Sequence, residues 1–354
     1  MTSPPPPLCF ILMPSGKKPA GDGQAVDFDA VYEQLIKPAI EASGLTPVRP
    51  AGPLADSLFD EARLAQLLDD FPDIQRLKTD VFRDSVRYAE DLKARLVAAR
   101  VAGADAVAAV ETGLGDIGQA DAAVVIDLFL SYRAVKAWDA MISLVARMAP
   151  PLAATTLVRE QLALALNRAG QGEEAEAVLL KLIAERGASS ETCAILGRVY
   201  KDRWDGAVQR GESMLARGLL EKAIAAYLRG FEADWRDAYP GVNAVTLMEL
   251  KEAPDPRQAA LLPVVAYAVG RRIAAGQPDY WDYATCLELA VLARDQAGAD
   301  TALADALAHV REAWEPESTA RNLGLIAVAR RGRGENPVDL DHLVAALQSR
   351  MTSL

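Results

Sequence analysis

Between positions 128 and 200 the chain returns to the same pattern every 34 residues. Leu128, Leu162 and Leu196 form one row, Phe129, Ala163 and Gly197 the next, and Tyr132, Leu166 and Tyr200 a third. A second small residue is due about twelve positions after the first. Ala175 follows Ala163 at that distance, and Val145 and Leu179 keep the 34-residue spacing behind it. A unit this short cannot bury its apolar face alone. Stacked units can, and the stack leaves a concave groove. The period therefore restricts the chain to a pile of helical hairpins, a scaffold for binding before any sign of an enzyme.

A period of 34 with this first-helix pattern is the spacing of the tetratricopeptide repeat. The first unit runs from Asp121 to Met148 and is closed by Pro150-Pro151. The second runs from Thr156 to Glu185, turning at Gly170-Gln171-Gly172, and the third opens at Glu191-Thr192-Cys193. Ala223 and Tyr227 lie 48 residues beyond Ala175 and Leu179, which predicts an insertion of fourteen (48 − 34) between Trp204 and Leu219, around Gly206 and Gly211. Further pairs are expected near 241–250 with 258–275 and 280–296 with 300–313. A last helix is expected at 316–331, and a segment at 339–351 to cap the apolar end.

The N-terminal region reads differently. Leu8 to Met13 is a short apolar run ended by Pro14-Ser15-Gly16, a buried strand and a turn. Lys17 to Gly23 reads as a polar loop. Asp27 or Asp29 caps a helix running to about Ala42, with Val31, Leu35 and Ile36 on one face. Pro38 inside it predicts a kink or a late start. Gly44 is a C-terminal stop, and Leu45 to Val48 a second strand. Two strands make no independent sheet. Helices at 60–71 and 78–101 follow, broken at Phe71-Pro72-Asp73. The expected class is mainly α: a tetratricopeptide-like solenoid with a small N-terminal βαβ remnant. Residues 1–50 form the remnant, 51–120 a linker with helices, and 121–354 the repeat domain.

Charge and composition narrow the function. The formal charge is −11, whereas nucleic-acid binders and proteins docking on anionic membranes use a basic excess. Neither partner is expected. Three cysteines, Cys9, Cys193 and Cys286, are widely separated and odd in number, as expected in a reducing compartment such as the cytoplasm. The two histidines, His309 and His342, stand alone, and no cysteine or histidine pair has metal-ligand spacing. The apolar run at Leu8 is too short for a signal peptide or a membrane span. No catalytic, cofactor or metal residue is assigned. Gly113-x-Gly115-x-x-Gly118 matches the dinucleotide fingerprint, but the following helix opens the repeat ladder where a parallel strand should come. An interhelical loop is the reading adopted. Cys193 and Cys286 read as small core residues.

Several longer stretches carry a resemblance. Asp127-Leu128-Phe129-Leu130-Ser131-Tyr132-Arg133-Ala134, the run from Glu191 to Asp202, Tyr239-Pro240-Gly241-Val242-Asn243-Ala244, and Pro278-Asp279-Tyr280-Trp281-Asp282-Tyr283-Ala284 resemble the TRAF-binding domain of mitogen-activated protein kinase kinase kinases, which bacterial proteins share. The resemblance covers about residues 70–330 and implies an all-helical interaction platform. In the kinases the region is regulatory and binds adaptors; no kinase signature is present here. The run Cys9 to Gly16 looks like the opening of a TIR-like or nucleoside deoxyribosyltransferase-like domain. It has Ser15 where that family has Phe, and the later segments, including the candidate catalytic glutamate, are missing.

One row bears on binding. First helices line the groove of such a stack, and the residue after the Tyr132, Leu166 and Tyr200 row is Arg133, Asn167 and Lys201. Arg198 lies one turn earlier in the third unit, and Asp127 and Gln161 are expected on the same side. A basic and polar row in an acidic chain suits a protein partner that brings carboxylates, such as an acidic peptide or a chain terminus. An ordinary wet concave face is the competing reading. The functional expectation is a non-enzymatic protein- or peptide-binding scaffold, with the resemblance implying a role in signalling or stress response. The alternative is a nucleotide- or nucleoside-processing enzyme with a repeat sensor arm.

Overall fold

The computed structural model describes residues 8–10, 17–19, 25–42, 46–48, 88, 90–336 and 338–351. The chain divides into two units, Met1–Asp91 and Leu92–Leu354. The turn at Pro14-Ser15-Gly16, the stop at Gly44, the helix expected at 60–71 and most of 78–87 lie outside the described residues.

In the first unit, β1 (Leu8–Phe10) pairs in parallel with β4 (Thr46–Val48), Leu8 opposite Thr46. A parallel pair needs a crossover. Helical segments α1 (Phe28–Val31) and α2 (Lys37–Ala42) supply it, joined by a π-turn at Tyr32–Ile36. Asp27 is the N-cap: its Oδ1 accepts from the Ala30 N–H at 3.1 Å. Pro38 does not delay the helix, which is already under way from Phe28. The chain widens into the π-turn just ahead of it, where the Lys37 N–H reaches back to the Tyr32 carbonyl. Wider turns accommodate a residue without an N–H. The loop expected at Lys17 to Gly23 is in part a ladder: β2 (Lys17–Pro19) pairs antiparallel with β3 (Ala25–Asp27). Polar composition concealed it, because strands this short carry no alternating apolar pattern.

The second unit is helical throughout its described length. Residues 92–102 form α3, followed by α4 (Ala104–Thr112). The Gly113–Gly118 motif is the connection to α5 (Ala122–Ala134), whose N-cap Asp121 accepts from the Ala123 and Val124 N–H groups. The first repeat pairs α5 with α6 (Trp138–Val145), and the short α7 (Pro150–Ala153) begins at the double proline. The second pairs α8 (Thr156–Arg168) with α9 (Gly172–Arg186), and Gly170 takes the left-handed φ of 82° that ends α8. The third pairs α10 (Ser190–Gln209) with α11 (Ser213–Ala233). Three more pairs follow: α12 (Ala238–Glu249) with α13 (Arg257–Ala274), α14 (Tyr280–Ala293) with α15 (Gln296–Ala308), and α16 (Trp314–Gly332) with α17 (Val338–Met351).

The ladder is the core. Leu128, Phe129 and Ala163 are fully buried, and so are Ala175, Leu179, Ala223 and Tyr227 on the second helices. Gly197 explains why its row narrows from Phe to Gly. A Cβ there would lie 2.6–2.8 Å from three ring atoms of Tyr227. The large residue has moved to the partner helix, and the small one lets it in. One continuous cluster runs from Ala163 to Met248, and a second from Phe231 to Leu347.

The fourteen-residue insertion lengthens both helices of the third hairpin. Helix α10 runs to Gln209, nine residues past Tyr200, whereas α8 stops at Arg168, two past Leu166. Helix α11 begins at Ser213, ten before Ala223, whereas α9 begins at Gly172, three before Ala175. Seven residues (9 − 2 and 10 − 3) are added to each helix. Seven is close to two turns of 3.6, so both buried faces stay in phase.

A candidate partner-binding groove

First helices lie side by side along the stack, α8 against α10, α10 against α12, α12 against α14 and α14 against α16. Between α8 and α10 is a cavity of about 240 Å³. Leu164, Ala194 and Ile195 give it an apolar lining; Asn167, Arg168, Glu191, Arg198 and the half-exposed Tyr239 give it polar walls.

Arg198 is the best-positioned cation of this site. Its Nε donates to Asp202 Oδ1 at 2.8 Å, and Asn167 Nδ2 donates to the other oxygen of Asp202 at 2.8 Å. Asp202 thus ties the two neighbouring helices together and holds both predicted groove residues at the cavity. Burial lowers the affinity of this guanidinium for its proton, but Asp202, Tyr227 and Tyr239 more than offset it. Burial raises the Glu191 carboxyl, Glu160 and Asp237 add to the rise, and Arg133 opposes it. Arg133 is exposed and within electrostatic reach of that rim.

The other expected residues are placed differently. Asp127 is half-buried on α5 and is not in the cavity lining. Gln161 is buried, and among the described residues its Oε1 has no hydrogen-bond partner. Lys201, expected in the open groove, is 9% exposed, and its Nζ donates to Asn322 Oδ1 of α16 at 3.0 Å. Burial pulls this ammonium down to about 8; Arg198 and Arg321 push the same way, and Glu288 opposes.

The cause is the curvature of the stack. Helix α16 lies across the first helices of the third to fifth repeats and fills the concave face there. Asn322 Nδ2 donates to Glu288 Oε1 at 2.9 Å, and Thr246 Oγ1 to Glu288 Oε2 at 3.1 Å. Burial raises the Glu288 carboxyl. Arg321 pairs with Asp205, and Tyr280 Oη donates to Thr319 at 2.8 Å. Arg330 bonds Glu249 at 2.8 Å and the Val291 carbonyl at 3.0 Å, and Arg333 shares Glu249 at 2.8 Å. The open groove is therefore confined to its N-terminal half.

Sequence reasoning missed Asp202, Glu191 and Tyr239. Asp202 was within reach, since it stands four residues after Arg198, the helical ion-pair spacing. Tyr239 was not, because only the packing of the fourth repeat brings it to the cavity. Cys193 is buried, Cys286 is partly buried, and burial raises both thiols, as suits core residues. Among the described residues no helix is long and apolar enough to cross a membrane.

Stacked helical hairpins with a polar groove along their first helices define a tetratricopeptide-like protein-interaction scaffold. Residues 45–345 match the family described as the MAP3K TRAFs-binding domain, and the chain belongs to that family. It is 28% identical over 221 residues to mitogen-activated protein kinase kinase kinase nsy-1 of Caenorhabditis elegans, an alignment covering 56% of this chain and 14% of that protein. It is also 28% identical over 217 residues to mitogen-activated protein kinase kinase kinase 15 of Mus musculus, covering 57% and 16%. The matched region thus spans only a small part of these kinases. A tetratricopeptide-repeat protein of Thermus thermophilus aligns with a TM-score of 0.42 at 16% identity, covering 57% of this chain and 99% of that one. Another, from Parabacteroides merdae, aligns with a TM-score of 0.41 at 13% identity, covering 75% and 98%.

Proposed function

We propose that the chain is a non-enzymatic adaptor of a signalling or stress-response assembly, and that the cavity between α8 and α10 receives a carboxylate of a protein partner. The observation that carries this reading is Arg198. Its Nε is committed to Asp202, which fixes the plane of the guanidinium, and the side chain lines the cavity beside Asn167 and Arg168. A planar, pre-oriented fork is suited to a carboxylate. Arg133 extends positive charge along the rim, and the apolar lining accepts the stem of an acidic side chain or the residue before a chain terminus. The signalling assignment rests on membership of the family.

The test is fluorescence anisotropy with labelled acidic peptides, their charge-reversed counterparts and versions with an amidated C-terminus. Acidic peptides should bind and weaken with salt, since exposed charges are screened over about 10 Å at 0.1 M. Arg198→Ala should abolish binding with helix content unchanged. Equal binding of acidic and reversed peptides, or wild-type affinity in Arg198→Ala, would remove the carboxylate reading.

A further inference from the structure

The third hairpin is longer than the second by about two turns on each helix, so its tip projects on the order of 10 Å beyond the second. The next first helix, α12, ends at Glu249. Between the extension and residues 250–253 is a recess of about 650 Å³. Trp204, Val208, Ala216, Leu220 and Leu250 line it. Val208 is 52% exposed, and close to the tip Met214 is 77% and Leu215 48% exposed. In a solenoid each hairpin covers the flank of the one before it. Helix α10 has outgrown α12, and Val208, Met214 and Leu215 on the extension face solvent.

We propose that this flank is a self-association surface, covered by the same extension of a second copy of the chain. Two features of the surface select that occupant. The first is shape. The flank needs a cover made of a short helical hairpin with an apolar side, which is what the extension of another copy presents. Gly211 and Ser213, both exposed along the recess, allow a facing helix to come close.

The second is charge. Around the recess and tip, Arg210 pairs with Glu212 at 2.9 Å, Arg217 with Glu252 at 3.2 Å, and Lys251 with Glu221 at 2.7 Å. Lys251 also pairs with Asp255 at 3.1 Å, which Arg257 holds at 2.8 Å, so four cations meet four carboxylates here on a chain that carries −11. A surface shaped for an acidic or a basic partner carries an excess of one sign. A two-fold interface sets each residue against a different residue of the copy, so it needs both signs in equal measure.

Sedimentation equilibrium of the full chain tests the proposal, with circular dichroism to confirm helix content. The wild type should show a monomer–dimer equilibrium. Val208→Glu places an unpaired carboxylate in the contact and should weaken it about tenfold or more. Arg217→Glu should also weaken it, and Glu252→Arg added to that variant should restore the dimer, because both members of the pair are then exchanged. A wild type that stays monomeric to roughly 100 μM, well above a useful Kd, overturns the proposal. So does a dimer indifferent to Val208→Glu, or a charge exchange that fails to restore association.

Discussion

Gly197 offers the sharpest test of the repeat packing. Alanine is favoured over glycine within a helix by about 1 kcal/mol, so Gly197→Ala should stabilise if only local propensity counted. The tertiary term has the opposite sign. The new methyl would lie 2.6 Å from Cγ of Tyr227 and 2.7–2.8 Å from both Cδ atoms. The ring has little room to retreat: it is fully buried and meets Tyr239 edge-on at a centroid distance of 6.4 Å. Overpacking of this kind costs about 1–3 kcal/mol, and here the backbone of α10 or α11 must shift to relieve it. The net expectation is a loss of up to about 2 kcal/mol, the overpacking cost less the propensity gain. Gly270 is the control: it is exposed in α13, and a Cβ there meets nothing within 4 Å. Gly270→Ala should stabilise by about 0.5–1 kcal/mol. Urea melts of the two variants should therefore move the midpoint in opposite directions. If Gly197→Ala stabilises the fold as Gly270→Ala does, the alignment of α10 on α11 is wrong.

Other expectations concern the buried polar network and the caps. Lys201 has its proton affinity lowered to about 8 in the fold from an ordinary 10.5, so between these values the folded state holds fewer protons than the unfolded one. Stability should gain up to about 1.4 kcal/mol per pH unit from this group as pH rises through 8 to 10. Lys201→Met should remove that gain, isolating it from the opposite contributions of Cys193, Cys286, Tyr132 and Tyr200, whose protons the fold retains; identical pH dependence in chemical denaturation would refute the assignment. Arg330→Ala leaves the buried Glu249 with Arg333 and Gln258 and frees the Val291 carbonyl, and should cost about 2–4 kcal/mol in urea unfolding. Asp279 closes a capping box on α14 with Asp282, so Asp279→Ala should cost about 1 kcal/mol; a change below a few tenths would show that the cap contributes nothing.

Local pattern was enough to recover most of this architecture. The rows at Leu128, Phe129 and Tyr132 and their successors mark positions that meet the same environment in every repeat, because each hairpin packs only on its neighbours. Helix pairs, turns such as Gly170, and the glycine that admits Tyr227 follow from that. Of the expected groove residues, Asn167 and Arg198 line one cavity.

Three features depended on interactions the pattern does not contain. The spacing placed fourteen extra residues between Trp204 and Leu219 without saying what they form; seven on each side continue two helices in phase. The π-turn before Pro38 and the β2–β3 ladder are choices among backbone states of similar energy. Above all, Lys201 occupies the same repeat position as Asn167 but is buried, because the small rotation at each repeat accumulates until α16, 121 residues away, closes over it. A periodic sequence specifies the unit and its neighbour contacts. How tightly the stack curls is a sum over many slight interface angles, and that sum decided which half of the groove remained open.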